Sequence, residues 1–248
     1  MNAAIDLGNT FAKIAWFENE QLVKAQYKIP FEELTAILSN ELPTHAILSS
    51  TSQDTQVYAD WFRQQNVRVV QLSPALPVPI GKDYDTPQTL GADRLAAAVG
   101  ATVLFPNENC LVIDMGTCIT YDWVSADAVF HGGIISPGFR MRFQAMHTFT
   151  KRLPLIDVVE THNKVSVPLV GKSTHTAMES GVINGLLAEV EGFVERYRNE
   201  YGECRVLLCG GDAPFFENRL KNRIFAAPNL VLMGLNRILL YNVNVQNA

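Results

Sequence analysis

The chain has 248 residues, 48% hydrophobic and 18% charged, with a formal net charge of −5. This is the composition of a folded globular chain and excludes a disordered one; the acidic balance, without any run of Lys and Arg, argues against a nucleic-acid partner. No apolar stretch reaches the roughly 20 residues of a membrane span, no leader segment is expected, and the 4 cysteines form no C-x-x-C pair, which argues against zinc and for reduced thiols in a cytoplasmic setting.

Ala3–Asp6, Phe11–Phe17 and Leu22–Ile29 read as a three-strand meander, turning the second time at Asn19-Glu20. The first bend, "IDLGNT", ends a buried strand on an acid, a glycine and two small polar residues. Gly8 lets backbone N–H groups approach a ligand without a Cβ in the way, Asn9 and Thr10 add short donors, and such a turn forms an anion-binding concavity. Lys13 adds a positive charge if it turns toward the loop. A carboxylate beside a phosphate cradle is repulsive unless a cation lies between, so Asp6 is expected to act through a hydrated Mg²⁺.

Phe31–Asn40 has helical spacing, His45–Ser50 is a short strand, Thr55–Gln65 a helix and Val67–Leu72 a strand. Ser73–Gly81, with Pro74, Pro77 and Pro79, is expected to be extended connector. Gly91–Phe105 is a strong helix whose first turn carries Asp93, where the helix dipole favours an ionised acid. With Arg94 beside it and Tyr84 upstream, Asp93 has the chemistry to accept the proton of an alcohol during phosphoryl transfer. The other reading is a first-turn acid with an ordinary structural role.

A second meander follows: Cys110–Asp114, Ile119–Val124 and Ala128–Ile135. Its first turn, Asp114-Met115-Gly116-Thr117 with Thr120 beyond, repeats the device at Asp6. Two related halves are therefore expected, residues 1–108 and 109–248, packed closely with a cleft between them, so that the two turns grip a triphosphate from both sides. A helix is expected from Phe139 to Lys151, a long one over Thr174–Tyr201, a strand at Val206–Cys209 ending in Gly210-Gly211, and helices at Phe215–Asn222 and Leu230–Tyr241. Gly181, Gly185 and Gly192 in the long helix are expected to mark close helix contact. "VGKST" at Val170–Thr174 lacks the upstream glycine of a Walker A loop; Ser173 and Thr174 remain donors at a helix start. His131 and His147 are expected to make ordinary polar contacts. Arg140 and Arg142 face a phosphate, a partner subunit or solvent.

"IDLGNTFAK", "TPQTLGADRLAAAVGA", "VIDMGTCITYD", "GGIISPG", "VGKSTHTAMESG" and "CGGDA" occur in the order and spacing of type III pantothenate kinases, a family this chain resembles over nearly its whole length. The resemblance implies an α/β fold of two duplicated ribonuclease-H-like halves of the actin-like ATPase kind, each a mixed sheet with helices. It implies ATP-dependent phosphorylation of pantothenate to 4′-phosphopantothenate, the first step of coenzyme A synthesis, with Mg²⁺ or another divalent cation, a monovalent cation (K⁺ or NH₄⁺), and a homodimer. Carried over position by position, Asp6, Leu7, Gly8, Asn9, Thr10, Phe11, Ala12 and Lys13 form the ATP phosphate loop and Thr117 is a further ATP contact. Asp93 is the proton acceptor within the pantothenate-binding block Gly91, Ala92, Asp93 and Arg94, and Tyr84 and Thr174 are further substrate contacts. Asp114 is the monovalent-cation ligand. The chain departs from the family pattern at Ser49–Gln53, Cys209 and Met233. A non-catalytic nucleotide-binding regulator of the same fold, or a kinase for another small alcohol, are the alternatives.

Overall fold

The structure is a computed structural model describing residues 1–51, 53–158, 166–221 and 223–245. The first meander consists of β1 (Asn2–Leu7), β2 (Ala12–Glu18) and β3 (Gln21–Ile29). A 3-10 turn at Phe31–Glu33 leads into α1 (Leu34–Asn40), followed by β4 (His45–Ser50), α2 (Gln56–Gln64) and β5 (Arg68–Gln71). After the proline-rich connector come a two-residue strand, β6 (Gly81–Lys82), and α3 (Ala92–Leu104). The second meander is β7 (Cys110–Met115), β8 (Cys118–Val124) and β9 (Val129–Pro137). It leads to α4 (Phe139–Phe149), α5 (Thr174–Tyr201), β10 (Arg205–Cys209), α6 (Ala213–Glu217), β11 (Phe225–Ala226) and α7 (Leu230–Val245).

The strands form two sheets. The first has the order β3-β2-β1-β4-β5, the second β11-β10-β7-β8-β9-β6. Read from β9, the second is β9-β8-β7-β10-β11, the order of the first, with β6 added at its edge. Within the first sheet β1 is antiparallel to β2 and parallel to β4, and β4 is parallel to β5. The fold is thus α/β, with two mixed sheets of repeated strand order.

Packing divides the chain differently. One compact unit comprises residues 1–110, 122–132 and 229–248, the other 111–121 and 133–228. These units interleave along the sequence. α7 belongs to the first unit because it packs on α3, β1 and β4.

In the first unit every residue of β1 is buried, because both faces of its sheet are covered. Ile5, Leu7, Ile14, Trp16 and Leu48 share a core with Leu34 and Leu38 of α1 and Phe62 of α2. On the other face α3 and α7 approach each other backbone to backbone. A Cβ on Gly234 would lie 1.8 Å from the Ala96 carbonyl oxygen, and one on Gly100 would lie 2.3 Å from that of Leu230. The close helix contact therefore sits here. At Gly181, Gly185 and Gly192 of α5 a Cβ would meet nothing within 4 Å, so the close contact expected there is not made among the described residues.

The two-residue strands β6 and β11 fall below the length at which periodicity is readable. β6 joins the second sheet by pairing parallel to β9, Gly81 with Val129 and Lys82 with Phe130. The helix expected over Phe215–Asn222 starts earlier and is shorter, since Pro214 in its first turn suits a helix start; Asn222 lies outside the described residues. α7 runs on to Val245.

Gly234→Ala is expected to lower the unfolding free energy by about 1–3 kcal/mol or more through overpacking against Ala96. Gly181→Ala, in open space within a helix, should raise it by roughly 0.5–1 kcal/mol. Urea unfolding of the two variants checks both signs.

Candidate active site

The residues singled out by sequence fall in both units, and each group has its own geometry. In the first unit, the bend after β1 closes when the Gly8 N–H donates to the Phe11 carbonyl at 3.2 Å. A Cβ on Gly8 would stand 3.1 Å from that oxygen, which explains the glycine. Leu7 and Ala12 are buried anchors of the strand ends, while Asn9, Thr10 and Phe11 are exposed at the tip. Asp6 is buried, and its carboxylate lies 3.8 Å from the Lys13 ammonium, its partner in register across the hairpin. That distance makes a loose pair, and Lys13 is exposed enough to be screened.

Asp93 stands in the first turn of α3. Its Oδ1 accepts a hydrogen bond from the Arg94 N–H at 2.8 Å, serving one of the donors that a helix start leaves over. Its Oδ2 carries no hydrogen bond among the described residues. Gly91 caps the helix, and a Cβ there would come within 2.6 Å of Asp93 Oδ1. The glycine is therefore required by the carboxylate's position. Ala92 follows it, half-buried. A cavity of about 270 Å³ opens against Gly91 and Ala92, bounded also by Thr89, Leu72 and Lys82. A larger one, about 380 Å³, lies away from every predicted site residue, against Glu20, Asp127 and Arg237.

Arg94 is buried, and Asp122 on β8 holds it. Nε donates to Asp122 Oδ1 at 3.0 Å and to Oδ2 at 3.3 Å, and Nη2 donates to Oδ1 at 2.5 Å. Burial alone pulls this guanidinium's pKa down; the hydrogen bonds and charge of Asp122, with Tyr84 behind them, outweigh it and leave the pKa raised. The Tyr84 ring lies 5.9 Å from the guanidinium carbon and the Phe130 ring 5.7 Å from it, the two rings being neighbours 5.9 Å apart. Tyr84 is steadied from the strand side. His131 bridges Asp83 Oδ2 at 3.0 Å and Ser125 Oγ at 2.9 Å, the ordinary polar contact expected of it. Gly132, at φ +82°, leaves room for the Tyr84 ring 3.2 Å from where its Cβ would be.

In the second unit, two other backbone segments converge on the turn after β7. The Gly116 N–H donates to the Cys118 carbonyl at 3.1 Å, and the Asp212 N–H to the Met115 carbonyl at 2.9 Å. A Cβ on Gly138 would come within 2.3 Å of the Thr117 carbonyl oxygen, and one on Gly210, at φ +96°, within 2.5 Å of the Met115 backbone. Thr117 is exposed at the tip, and Asp114 is half-buried just before it. A Cβ on Gly116 would stand 3.3 Å from Asp114 Oδ1. Thr174 is exposed in the first turn of α5. The neighbouring Ser173 spends its hydroxyl on a capping box, accepting from the Thr176 N–H at 3.2 Å, while Thr176 Oγ1 accepts from the Ser173 N–H at 3.0 Å. Arg142 is half-buried and held within the second unit. It pairs with Glu189 at 2.6 Å and donates to the Pro137 carbonyl at 2.9 Å. Glu189 also accepts from Tyr121; desolvation first, then this carboxylate, pushes the Tyr121 pKa far up.

No group of three or more His, Cys, Asp or Glu suited to a metal occurs among the described residues. The donor set fits a cation held by one carboxylate, waters and a ligand's phosphates, the usual mode of Mg²⁺, better than an all-protein cage. Sequence reasoning missed Asp122. The available signal was an acid inside an apolar strand between Tyr121 and Trp123, which demands a buried cationic partner.

Asp122→Ala is expected to destabilise the chain by about 3–5 kcal/mol by stranding the buried Arg94 charge. Arg94→Met with Asp122→Leu should recover most of that loss; thermal and urea unfolding of the single and double variants measure it.

The sequence profile of the type III pantothenate kinase family matches residues 3–196. A type III pantothenate kinase of Cytophaga hutchinsonii is 44% identical over 98% of this chain and 100% of its own length, and one of Phocaeicola vulgatus 42% identical over 98% and 99%. Among solved structures, a Campylobacter jejuni protein provisionally described as a Baf family transcriptional activator superposes with TM-score 0.64 at 21% identity, covering 98% of this chain and 99% of that one. The ROK hexokinase of Thermus thermophilus superposes with TM-score 0.56 at 13% identity, covering 97% and 99%. At those identities the structural likeness carries the fold alone. With the profile covering most of the chain and relatives above 40% identity over nearly all of it, the chain belongs to the type III pantothenate kinase family.

Proposed function

We propose that the chain transfers the γ-phosphoryl group of ATP to the primary hydroxyl of pantothenate, giving 4′-phosphopantothenate and ADP. The observation that carries this reading is the start of α3: a carboxylate with one oxygen anchored by the Arg94 N–H, the other unengaged among the described residues, and a glycine cap that makes room for it. Asp93 Oδ2 is then the proton acceptor for the substrate hydroxyl, which turns nucleophilic as the phosphoryl group leaves ADP. Arg94, paired with Asp122, acts in this reading by fixing the helix start and the Tyr84 ring, with Gly91 and Ala92 as the backbone wall of the substrate site and Thr174 as a further contact.

Asp6 to Lys13 form the phosphate loop. The exposed amides and side chains of Asn9 and Thr10 are the donors, Lys13 supplies positive charge, and Asp6 holds a hydrated Mg²⁺. When bound, the metal neutralises phosphate charge. Thr117, in the glycine-packed turn, is the second ATP contact, and Asp114 beside it holds K⁺ or NH₄⁺. The two linear halves, 1–108 and 109–248, are read as copies of one ancestral unit, a reading that the repeated strand order supports. A homodimer would cover the apolar side chains left exposed on the second unit, notably Phe149 at 86% and Leu169 at 80% exposure. A cytoplasmic setting fits four unbridged cysteines; no described helix is long and apolar enough to cross a membrane.

With pantothenate and Mg·ATP, a coupled assay should show ADP release. Asp93→Asn should lower turnover by about 10²–10⁴-fold while calorimetry finds nucleotide binding intact; full activity in that variant would remove Asp93 from the chemistry. Titration with KCl should raise the wild-type rate, and Asp114→Asn should flatten that dependence. A wild-type rate indifferent to K⁺ and NH₄⁺ would take the ion from Asp114.

A further inference from the structure

Ser49, at the end of β4, is fully buried, and its hydroxyl has no hydrogen-bond partner among the described residues. It sits in register with Asp6 across the parallel β1–β4 pair, and Asp6 sits in register with Lys13 across the antiparallel β1–β2 pair. Residues in register on adjacent strands project to the same face, with the strands roughly 4.8 Å apart. Lys13, Asp6 and Ser49 therefore form one row across the sheet, at the end of β1 where the glycine bend begins. Ile47 and Leu48, which precede Ser49 along β4, are fully buried and apolar, and Ser50 after it is half-buried. Pairing with β5 stops at Leu48–Gln71, so Ser49 stands one residue past that ladder. A buried hydroxyl without a partner costs stability that alanine would not. Its place beside a motif carboxylate calls for something that hydrogen-bonds there when the site is filled.

We propose that Ser49 Oγ is a binding contact for the hydration shell of the divalent cation that accompanies the nucleotide phosphates, acting beside Asp6. The proposal rests on the reading of Asp6 given above. Waters on a small divalent cation are strong donors, and Mg²⁺ keeps several of them. Each needs an acceptor in the protein, and partners of this outer kind orient the shell and tune affinity. Ser49 Oγ accepts from one such water and donates its own proton to a neighbouring oxygen, so that the hydroxyl is satisfied only in the loaded site.

The test compares wild type, Ser49→Ala and Ser49→Thr, with calorimetric binding of ADP in EDTA, binding of Mg²⁺ at saturating ADP, and thermal unfolding with and without Mg²⁺ and ADP. Ser49→Ala is expected to weaken Mg²⁺ binding at least about 10-fold with metal-free ADP affinity unchanged. Its unliganded unfolding temperature should be equal to or above that of wild type, because an unsatisfied hydroxyl has gone. Ser49→Thr, which keeps the hydroxyl, should restore most of the Mg²⁺ affinity. Equal Mg²⁺ affinity in wild type and Ser49→Ala would overturn the proposal. So would a lowered unliganded stability in Ser49→Ala, which would mark a structural hydroxyl. If wild type itself fails to bind Mg²⁺ with ADP, the reading of Asp6 fails with it, an outcome distinct from an effect confined to Ser49.

Discussion

A single buried ion pair fixes the start of α3. Arg94 and Asp122 are both almost wholly withdrawn from water, where an isolated charge is costly and a well-hydrogen-bonded pair is tolerable. The pair joins the first turn of a helix to the middle of a β-strand, so the helix can neither slide nor rotate without stranding a charge. Asp93 is the preceding residue, and its carboxylate inherits that rigidity, leaning on the Arg94 N–H. The same guanidinium lies beside the neighbouring rings of Tyr84 and Phe130. Charge pairing, helix start and aromatic wall are one arrangement.

Around this arrangement, missing side chains matter as much as present ones. Gly91 leaves space for the Asp93 carboxylate and Gly116 for that of Asp114. Gly138 and Gly210 let two other backbone segments touch the turn that carries Thr117. In each case the neighbour is a polar backbone or carboxylate atom. These glycines thus let hydrogen-bonding atoms of separate segments approach closely. Gly100 and Gly234 serve a different end, the approach of two helices whose apolar faces close the first unit.

Much of this was legible in the sequence because it rests on local rules. The two meanders alternate apolar residues and break at D-x-G, and both formed. The long helix begins and ends at Thr174 and Tyr201 as its pattern requires, with Ser173 as its cap. Asp93 was legible as a first-turn acid. Asp122 was not legible as the partner of Arg94, since the two are joined only by tertiary structure. β6 and β11 were invisible because two residues carry no period and owe their conformation to a neighbouring strand. Arg142 has the look of a surface cation on a helix, and only the fold brings Glu189 to it. The "VGKST" segment has phosphate-loop letters, but its backbone is committed to a helix cap. The interleaving of the units escaped the sequence because α7 packs against residues far from it along the chain.

That interleaving bears on how the molecule is made. The sheet of the first unit is synthesised early, yet the helix that shields one of its faces follows the whole of the second unit. Until α7 is made, that side of β1 and β4 lacks its main cover. The N-terminal segment cannot reach its final state before α7 is made, and its closure belongs to the slow, long-range class of folding events. The covered sheet is thus a product of residues more than a hundred positions apart.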